Sequence, residues 1–192
     1  MSRSTGLLAI FFALLVALAS AAPVPAKADK AAKATVAATT AAPAAAAGAF
    51  TLKDYADFQI SDGVAGDAEA KANAVFVDPF QGVDLATVSD ATAKDIETMR
   101  KAAEAAETGQ FNPAIDAASG ADADALQNGK IQNKVLKLTG EVQVLNIKLA
   151  KAQAAGTDTA AIEAKITEEQ GKLSKNIQTD VSNAGAASKG VA

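Results

Sequence analysis

Apolar residues recur at helical spacing in the second half of the chain, and the strongest run lies between positions 131 and 149. Intervals of four and three residues separate its members, which are Ile131, Val135, Leu138, Val142, Leu145 and Leu149. This is the heptad spacing of a helix that packs along one seam. Val144 and Ile147 widen the apolar stripe, which favours a helix in a bundle over a two-stranded coiled coil.

A second apolar stripe predicts the last helix. Gly156 should end the preceding helix, and Asp158 should open the new one. The predicted inward face consists of Ile162, Ile166, Leu173, Ile177, Val181 and Ala184. Glu168 and Lys172 form a favourable pair one turn apart on this helix. Because the connection between the two helices is short, we expect them to be antiparallel neighbours.

The pattern between positions 50 and 76 predicts a first helix. Thr51 and Asp54 match a capping box, in which each side chain bonds a free backbone amide of the first turn. The helix should therefore start at about Leu52 and reach Phe76, although two glycines weaken its middle.

A further helix is predicted from about Asp90 to Thr108. Its apolar stripe is formed by Ile96, Met99, Ala103 and Ala106. Gly109 should end it, and Asn112 followed by Pro113 has the pattern of the cap and first residue of a third helical region. Gly120 is expected to kink that region.

These elements place one folded domain at residues 50–192. They predict its fold class as all-α, an antiparallel helical bundle of about four helices. The preceding segment, 22–49, includes 15 alanines and three prolines with almost no large apolar residue, so it is predicted to be disordered. It could be an O-glycosylated spacer, a pro-segment or an inert linker.

The first 21 residues have the pattern of a secretory signal peptide. Arg3 precedes an apolar run from Leu7 to Ala19, and small residues follow up to Ala21. As a helix the run would span about 20 Å, against roughly 30 Å for the hydrocarbon core of a membrane. We therefore predict cleavage near Ala21, with an uncleaved anchor as the alternative. The mature protein should be extracellular and should not insert into a membrane.

The composition removes several classes of chemistry. The chain has 50 alanines but no cysteine, histidine or tryptophan. It therefore lacks the residues of a disulfide framework, of a Ser-His-Asp triad and of the usual zinc and di-iron sites. We predict that the protein is not an enzyme and that it holds no cofactor and no metal.

The remaining candidates for chemistry are acidic residues. The stretch 122–135 resembles a calcium loop, but apolar residues occupy two of its ligand positions. Two acidic pairs, Glu104 with Glu107 and Glu168 with Glu169, could serve as the two carboxylates of a glycosidase. We expect both pairs to face solvent instead.

Charge is distributed unevenly along the domain. Residues 50–129 carry 15 acidic and 5 basic side chains, whereas residues 130–192 carry 6 acidic and 9 basic ones. The basic side chains that could form a patch are Lys130, Lys134, Lys137, Lys148 and Lys151. Nucleic acid binding needs a denser patch, with aromatic residues that stack on bases. We therefore predict no nucleic acid partner and interpret the charges as solvated helix faces.

An apolar connector follows the first predicted helix, and Pro79 and Gly82 interrupt it. Its large apolar residues either tuck under the bundle or present a patch to a partner. The candidate partner contacts are Phe76, Val77, Phe80 and Val83, together with Phe111.

The domain contains the strings DYADFQISDGVAGDAEAKANAVF at 54–76, AEAAETGQFNPAIDAASGADADALQNGKIQNKVLKLTGEV at 103–142 and ASKGV at 187–191. Across about 50–192 the sequence resembles a group of small secreted proteins of filamentous fungi that are sometimes described as effector-like. The resemblance implies secretion by a fungus and a cysteine-free helical domain. It implies no catalytic residues, and the first 49 residues lie outside it.

Together these observations predict a secreted, non-enzymatic binding protein, effector-like at a host or cell-wall surface. Its partner would be an unidentified protein or a component of that surface. The alternative is a surface-active or lipid-binding protein, whose amphipathic helices open and spread their apolar faces on a hydrophobic surface.

Overall fold

A computed structural model describes residues 50–192 of the protein, and the predictions for 1–21 and 22–49 lie outside the described residues. The described chain is an all-α helical bundle, as predicted. Its helices are α1 (Tyr55–Phe58), α2 (Ala68–Phe76), α3 (Asp90–Ala106), α4 (Asn112–Ala117), α5 (Ala121–Ala154) and α6 (Ala160–Ser182). Two short strands, β1 (Gly63–Val64) and β2 (Ala187–Ser188), complete it.

The central element is α5, which has 34 residues and on which α2, α3 and α6 pack. Its predicted seam is confirmed, because Val135, Leu138 and Leu145 are buried and the other members are half-buried. The widening of the stripe is confirmed as well, since Val144 and Ile147 are also buried. The same helix carries buried polar side chains, which the apolar pattern did not indicate.

The last two helices form the predicted hairpin. α5 ends at Ala154, and Gly156 turns the chain with a φ of +66°. The carboxylate of Asp158 then accepts a hydrogen bond from the amide of Ala160 at 3.0 Å, at the start of α6. The predicted end of one helix and opening of the next are therefore confirmed.

The inward face of α6 was predicted wrongly at its C-terminal end. Val181 is 57% exposed, and Ala184 is exposed and lies beyond the end of the helix. The inward position belongs to Asp180, whose Oδ2 accepts a hydrogen bond of 2.9 Å from the amide of Ala68 at the start of α2. Because neighbouring residues point about 100° apart on a helix, Val181 is turned towards solvent.

The prediction of a single first helix is also wrong, because α1 and α2 are separate helices with β1 between them. Gly63 and Gly66 have φ values of +106° and +114°, which no helical residue adopts and which glycine alone adopts readily. α1 begins at Tyr55 with Asp54 at its N-cap, so the start predicted from the capping box lies three residues too early. The predicted end at Phe76 is confirmed.

The predicted stripe of α3 is confirmed, and all four of its members are buried. Gly109 does not end the helical path, however. A turn of π-helix over Glu107–Phe111 leads directly into α4, so Asn112 is not the cap of a new helix. The interruption comes instead at Gly120, which precedes α5 with a φ of +58°.

The core lies where α2 and α3 meet α5. Phe76 is fully buried there, close to Gly140 of α5. A Cβ on Gly140 would lie 3.2 Å from the Phe76 ring and from the Cβ of Arg100. The absence of a side chain at this position therefore lets α2 and α3 approach α5 closely.

Candidate functional site

The predicted partner contacts lie in the core or at its margin. Phe76, Phe80 and Phe111 are buried, whereas Val77 and Val83 are half-buried. The ring of Phe50 lies against those of Phe76 and Phe80, with centroid distances of 6.3 and 5.6 Å. The connector is thus tucked under the bundle. Contact with a partner stays a prediction, and it would require the fold to open at its aromatic residues.

A buried hydrogen-bonded chain joins three helices near this core. The hydroxyl of Tyr55 in α1 donates to Oδ1 of Asn133 in α5 at 2.9 Å, and Nδ2 of Asn133 donates to the carbonyl of Ala103 in α3 at 2.8 Å. Burial raises the pKa of Tyr55 to about 12. A phenol held protonated in this way is a structural group.

The C-terminal strap (residues 183–191) closes one end of the bundle. Its strand β2 pairs antiparallel with β1, with Gly63 opposite Ser188. The Ser188 hydroxyl lies 2.7 Å from the carbonyl of Ser61 and 3.0 Å from Oε1 of Gln132 in α5. The amide of Lys189 donates to the carbonyl of Ala125 at 3.0 Å. The string ASKGV, which carries part of the family resemblance, therefore lies in a segment with a structural role.

A groove of about 510 Å³ lies between α3, α5 and α6 and is called here the charged groove. One wall is formed by α3 and α5, and the other by α6. Its lining residues are Arg100, Glu104, Lys134, Lys137, Leu138, Glu141, Lys165, Glu169, Lys172 and Asn176. Nine of these ten side chains are charged or polar, so the groove can exchange ion pairs and hydrogen bonds with a ligand.

Arg100 fixes the geometry of the first wall. Its guanidinium pairs with Glu97 and Glu104 within α3, both at 2.7 Å, and with Glu141 of α5 at 2.9 Å. Burial acts to lower the pKa of Arg100, but the hydrogen bond to Glu97 and the charges of Glu141 and Glu97 outweigh it, so the pKa is raised. Three carboxylates thus hold one largely buried cation, and α3 is tied to α5.

Glu107, in the π-helical turn, holds the lysines of this wall. Its carboxylate lies 2.5 Å from Nζ of Lys137 and 3.6 Å from Nζ of Lys134. The Glu107 side chain is largely buried, so the prediction that it faces solvent is wrong. The reason is that the π-helical turn continues the helical path past Gly109 and brings Glu107 against α5. Lys134 is the more loosely held of the two cations.

The second wall is a cluster of opposite charges within α6. Lys165 and Lys172 both pair with Glu168 and Glu169, at distances between 2.6 and 3.0 Å. The predicted pair of Glu168 with Lys172 is confirmed. Glu169 is only 7% exposed, so its predicted solvent-facing position is wrong. Burial acts to raise the pKa of Glu169, but its hydrogen bonds to the two lysines outweigh burial and lower that pKa.

The two walls are not joined by charge. Within residues 50–192, no ion pair connects α6 with α3 or α5 across the groove, and each wall neutralises itself. Five cations and three carboxylates nevertheless line the cavity, although residues 50–192 as a whole carry 21 acidic and only 14 basic side chains. Glu97, Glu107 and Glu168 pair with these cations from outside the lining, so five cations face six carboxylates. The groove is therefore dense in charge but has no net positive charge.

Sequence reasoning found only part of this site. Lys134 and Lys137 were among the basic side chains considered, but Lys130, Lys148 and Lys151 do not line the groove. The contribution of α6 was missed. The available signal was a pair of lysines seven residues apart on one helix face, on either side of two glutamates.

Other features of the described part of the chain are less distinctive. Two smaller grooves of about 360 and 300 Å³ share Lys53, Ala74 and Val75 as lining residues. Among residues 50–192, no cluster of three or more acidic, histidine or cysteine side chains could hold a metal ion. No helix in this range combines the length and apolar character needed to cross a membrane.

The fold and the groove define a small helical-bundle domain with a charged cleft. Residues 50–192 match the family described as Domain of unknown function (DUF8454), and the chain belongs to this family. Comparisons with curated proteins and with solved structures find no match.

Proposed function

We propose that the protein is a secreted, non-enzymatic binding protein that holds its partner in the charged groove. The observation that supports this proposal is the unbridged arrangement of the groove. Cations from two walls line one cavity, and no ion pair of the described residues crosses it. A partner could supply the bridging charges that the chain itself does not supply.

The size and stiffness of the groove suit a binding site. Its volume lies within the range of about 300–1,000 Å³ that is usual for ligand sites. Its first wall is held by the tertiary pair of Arg100 with Glu141, so it need not be ordered when a partner arrives. The ion pairs of the second wall link residues three or four apart on one helix. Such pairs on an exposed helix surface are weak, so they can be exchanged for pairs with a partner.

The place of action rests on the sequence. The leader pattern at 1–21 and the resemblance to secreted fungal proteins support an extracellular, effector-like role at a host or cell-wall surface. The partner would be a protein or another component of that surface.

The test is capture of a partner by the full chain and by two charge-matched variants. Lys134→Gln/Lys172→Gln removes one cation from each wall of the groove, and Lys148→Gln/Lys175→Gln removes one from each of the same helices outside it. The wild-type chain and the second variant should retain the same partner from host extracellular fluid, identified by mass spectrometry. The groove variant should lose it. Equal capture by all three proteins would contradict the proposal.

A second candidate function is binding to a lipid or another hydrophobic surface. The observation that favours it is the shallow packing of α6, where Ile166 is the one buried apolar residue of the helix and Ile162, Leu173 and Ile177 are only half-buried. Release of α6 would expose its apolar stripe and that of α5. A gain of helicity on adsorption to liposomes or alkane, unchanged by Lys134→Gln/Lys172→Gln, would favour this candidate. A monomer that unfolds cooperatively and binds neither liposomes nor alkane would exclude this candidate.

A further inference from the structure

We propose that α6 and the C-terminal strap form one unit that opens from the rest of the bundle, and that the strap is its latch, a segment that must detach before α6 can move. Once the strap detaches, α6 can rotate away from α5 about the turn at Gly156. Because α6 is the second wall of the charged groove, this opening also separates the two walls. The inference goes beyond the proposed function, since the movement does not depend on what the groove binds.

The middle of α6 is weakly attached to the bundle. Ile166 is the one buried apolar residue of this helix, and Leu173 and Ile177 are half-buried. The ion pairs of its lysines and glutamates stay within the helix, and none among residues 50–192 joins it to α3 or α5. An element with so few buried apolar contacts opens at a lower free energy than the core helices do.

Within the described chain, the hydrogen bonds that tie α6 to other elements lie at its C-terminal end. Oδ2 of Asp180 accepts a hydrogen bond of 2.9 Å from the amide of Ala68. Nδ2 of Asn183, the first residue after the helix, donates to Oδ1 of Asn128 in α5 at 2.9 Å. The strap starts at Asn183 and continues this attachment. Rotation of α6 about its other end therefore requires that the strap detaches.

The bundle provides a docking site shaped for the backbone of the strap. The amide of Gly185 donates to the carbonyl of Ala65, and the amide of Ala65 donates to the carbonyl of Ala186, both at 2.9 Å. Gly129 of α5 leaves room for the strap, because a Cβ there would overlap the carbonyl oxygen of Lys189. These contacts fix a single docked position to which the strap can return.

Hydrogen bonds hold the strap in this site, with little apolar burial. Ser188 is the one buried residue of the strap, whereas residues 184–187 and Lys189 are exposed. The net contribution of a hydrogen bond to stability is small, because the same groups bond water when they separate. The strap can therefore detach and dock again while α2, α3 and α5 keep their shared core.

The first test is native-state hydrogen exchange of the full chain, followed by NMR under conditions in which exchange reports the opening equilibrium. In the wild type we expect amides of α6 to exchange faster than those of α3. Ser188→Ala weakens the latch and should speed exchange in α6 about tenfold. Ile96→Val weakens the core at a fully buried position of α3. It should speed exchange in α3 about fivefold and leave α6 unchanged, because Ile96 stays packed when α6 opens.

The second test locks the latch reversibly. Val64 of β1 and Ala187 of β2 are opposite each other in register, both are exposed, and the chain has no cysteine of its own. Opposite residues of antiparallel strands have Cα atoms about 4.5–5.5 Å apart, which suits a disulfide. In oxidised Val64→Cys/Ala187→Cys, α6 should exchange no faster than α3 of the same protein. The reduced form is the matched control and should exchange as the wild type does.

Two results would overturn the inference. If α6 still exchanges faster than α3 in the oxidised protein, the helix opens with the strap in place and the strap is not a latch. If Ile96→Val speeds exchange equally in α3 and α6, the bundle unfolds as one unit. Neither measurement uses a partner, so loss of partner capture in the groove variant and failure of the latch are separate outcomes.

Discussion

Tyr55 offers the clearest test at the scale of single residues, because it is the single tyrosine of a chain without tryptophan. Burial raises its pKa from 10.0 to about 12. The folded state therefore holds the proton more tightly than the unfolded state, so this contribution to stability is complete below pH 10 and is lost as the pH rises towards 12. Tyrosinate absorbance should titrate near pH 12 in the native protein and near pH 10 in urea. A native midpoint near pH 10 would contradict the burial of this ring.

Two glycines give opposite predictions for the same substitution. A Cβ on Gly129 of α5 would overlap the carbonyl oxygen of Lys189 in the C-terminal strap, whereas a Cβ on Gly171 of α6 would meet nothing within 4 Å. Gly129→Ala should therefore lower the free energy of unfolding by about 2 kcal/mol through overpacking. Gly171→Ala should raise it by about 0.5–1 kcal/mol, because alanine loses less entropy in a helix. Urea denaturation measures both, and the same sign for both would contradict the placement of the strap.

At the scale of helices, α6 should be sensitive to acid. The pKa values of Glu168 and Glu169 are lowered by their pairs with Lys165 and Lys172. A carboxylate with a lowered pKa contributes stability above its ordinary pKa of 4.5, and that contribution is lost as the pH falls below 4.5 through the folded-state pKa. Thermal unfolding followed by circular dichroism should show a falling Tm over this range. In Glu169→Gln the fall should be smaller, and an unchanged fall would contradict the assignment.

The helices that the sequence predicts correctly are those in which local periodicity and tertiary packing agree. α3, α5 and α6 have apolar stripes at helical spacing, and the glycine after α5 ends that helix as expected. The prediction of a single first helix fails because Gly63 and Gly66 adopt positive φ values, which hydrophobic periodicity does not indicate. The inward placement of Val181 fails because Asp180 takes the inward position at that turn. Its carboxylate binds the first amide of α2, in Ala68, which lies 112 residues away along the chain.

At the scale of the whole molecule, the C-terminal strap holds two distant parts of the chain together. The Ser188 hydroxyl is buried between the carbonyl of Ser61 and the side chain of Gln132. Ser188→Ala removes this donor and should lower the free energy of unfolding by about 1–3 kcal/mol, because it leaves buried acceptors without a donor. Ser174→Ala, at an exposed position of α6, should change it by less than about 0.5 kcal/mol. Equal effects of the two substitutions, measured by urea denaturation, would contradict the claim that the strap stabilises the fold.

The candidate site could be predicted only in part. Its lysines on α5 are visible in the sequence, and so is the pair of Glu168 with Lys172 on α6. That these groups face one cavity depends on how α6 lies across α5 and on the π-helical turn that brings Glu107 to Lys137, and neither has a local signal. The apolar connector was predicted as a partner contact because large apolar residues in a loop are unusual, but its phenylalanines complete the core.

The most direct test of the central claim is to locate the partner captured from host extracellular fluid on the isotopically labelled full chain by NMR. We expect amide shifts at 134–141 of α5 and 165–176 of α6, and the Lys134→Gln/Lys172→Gln variant should lose them. Shifts confined to 53–75, where the smaller grooves lie, or no saturable shifts at all, would contradict binding in the charged groove.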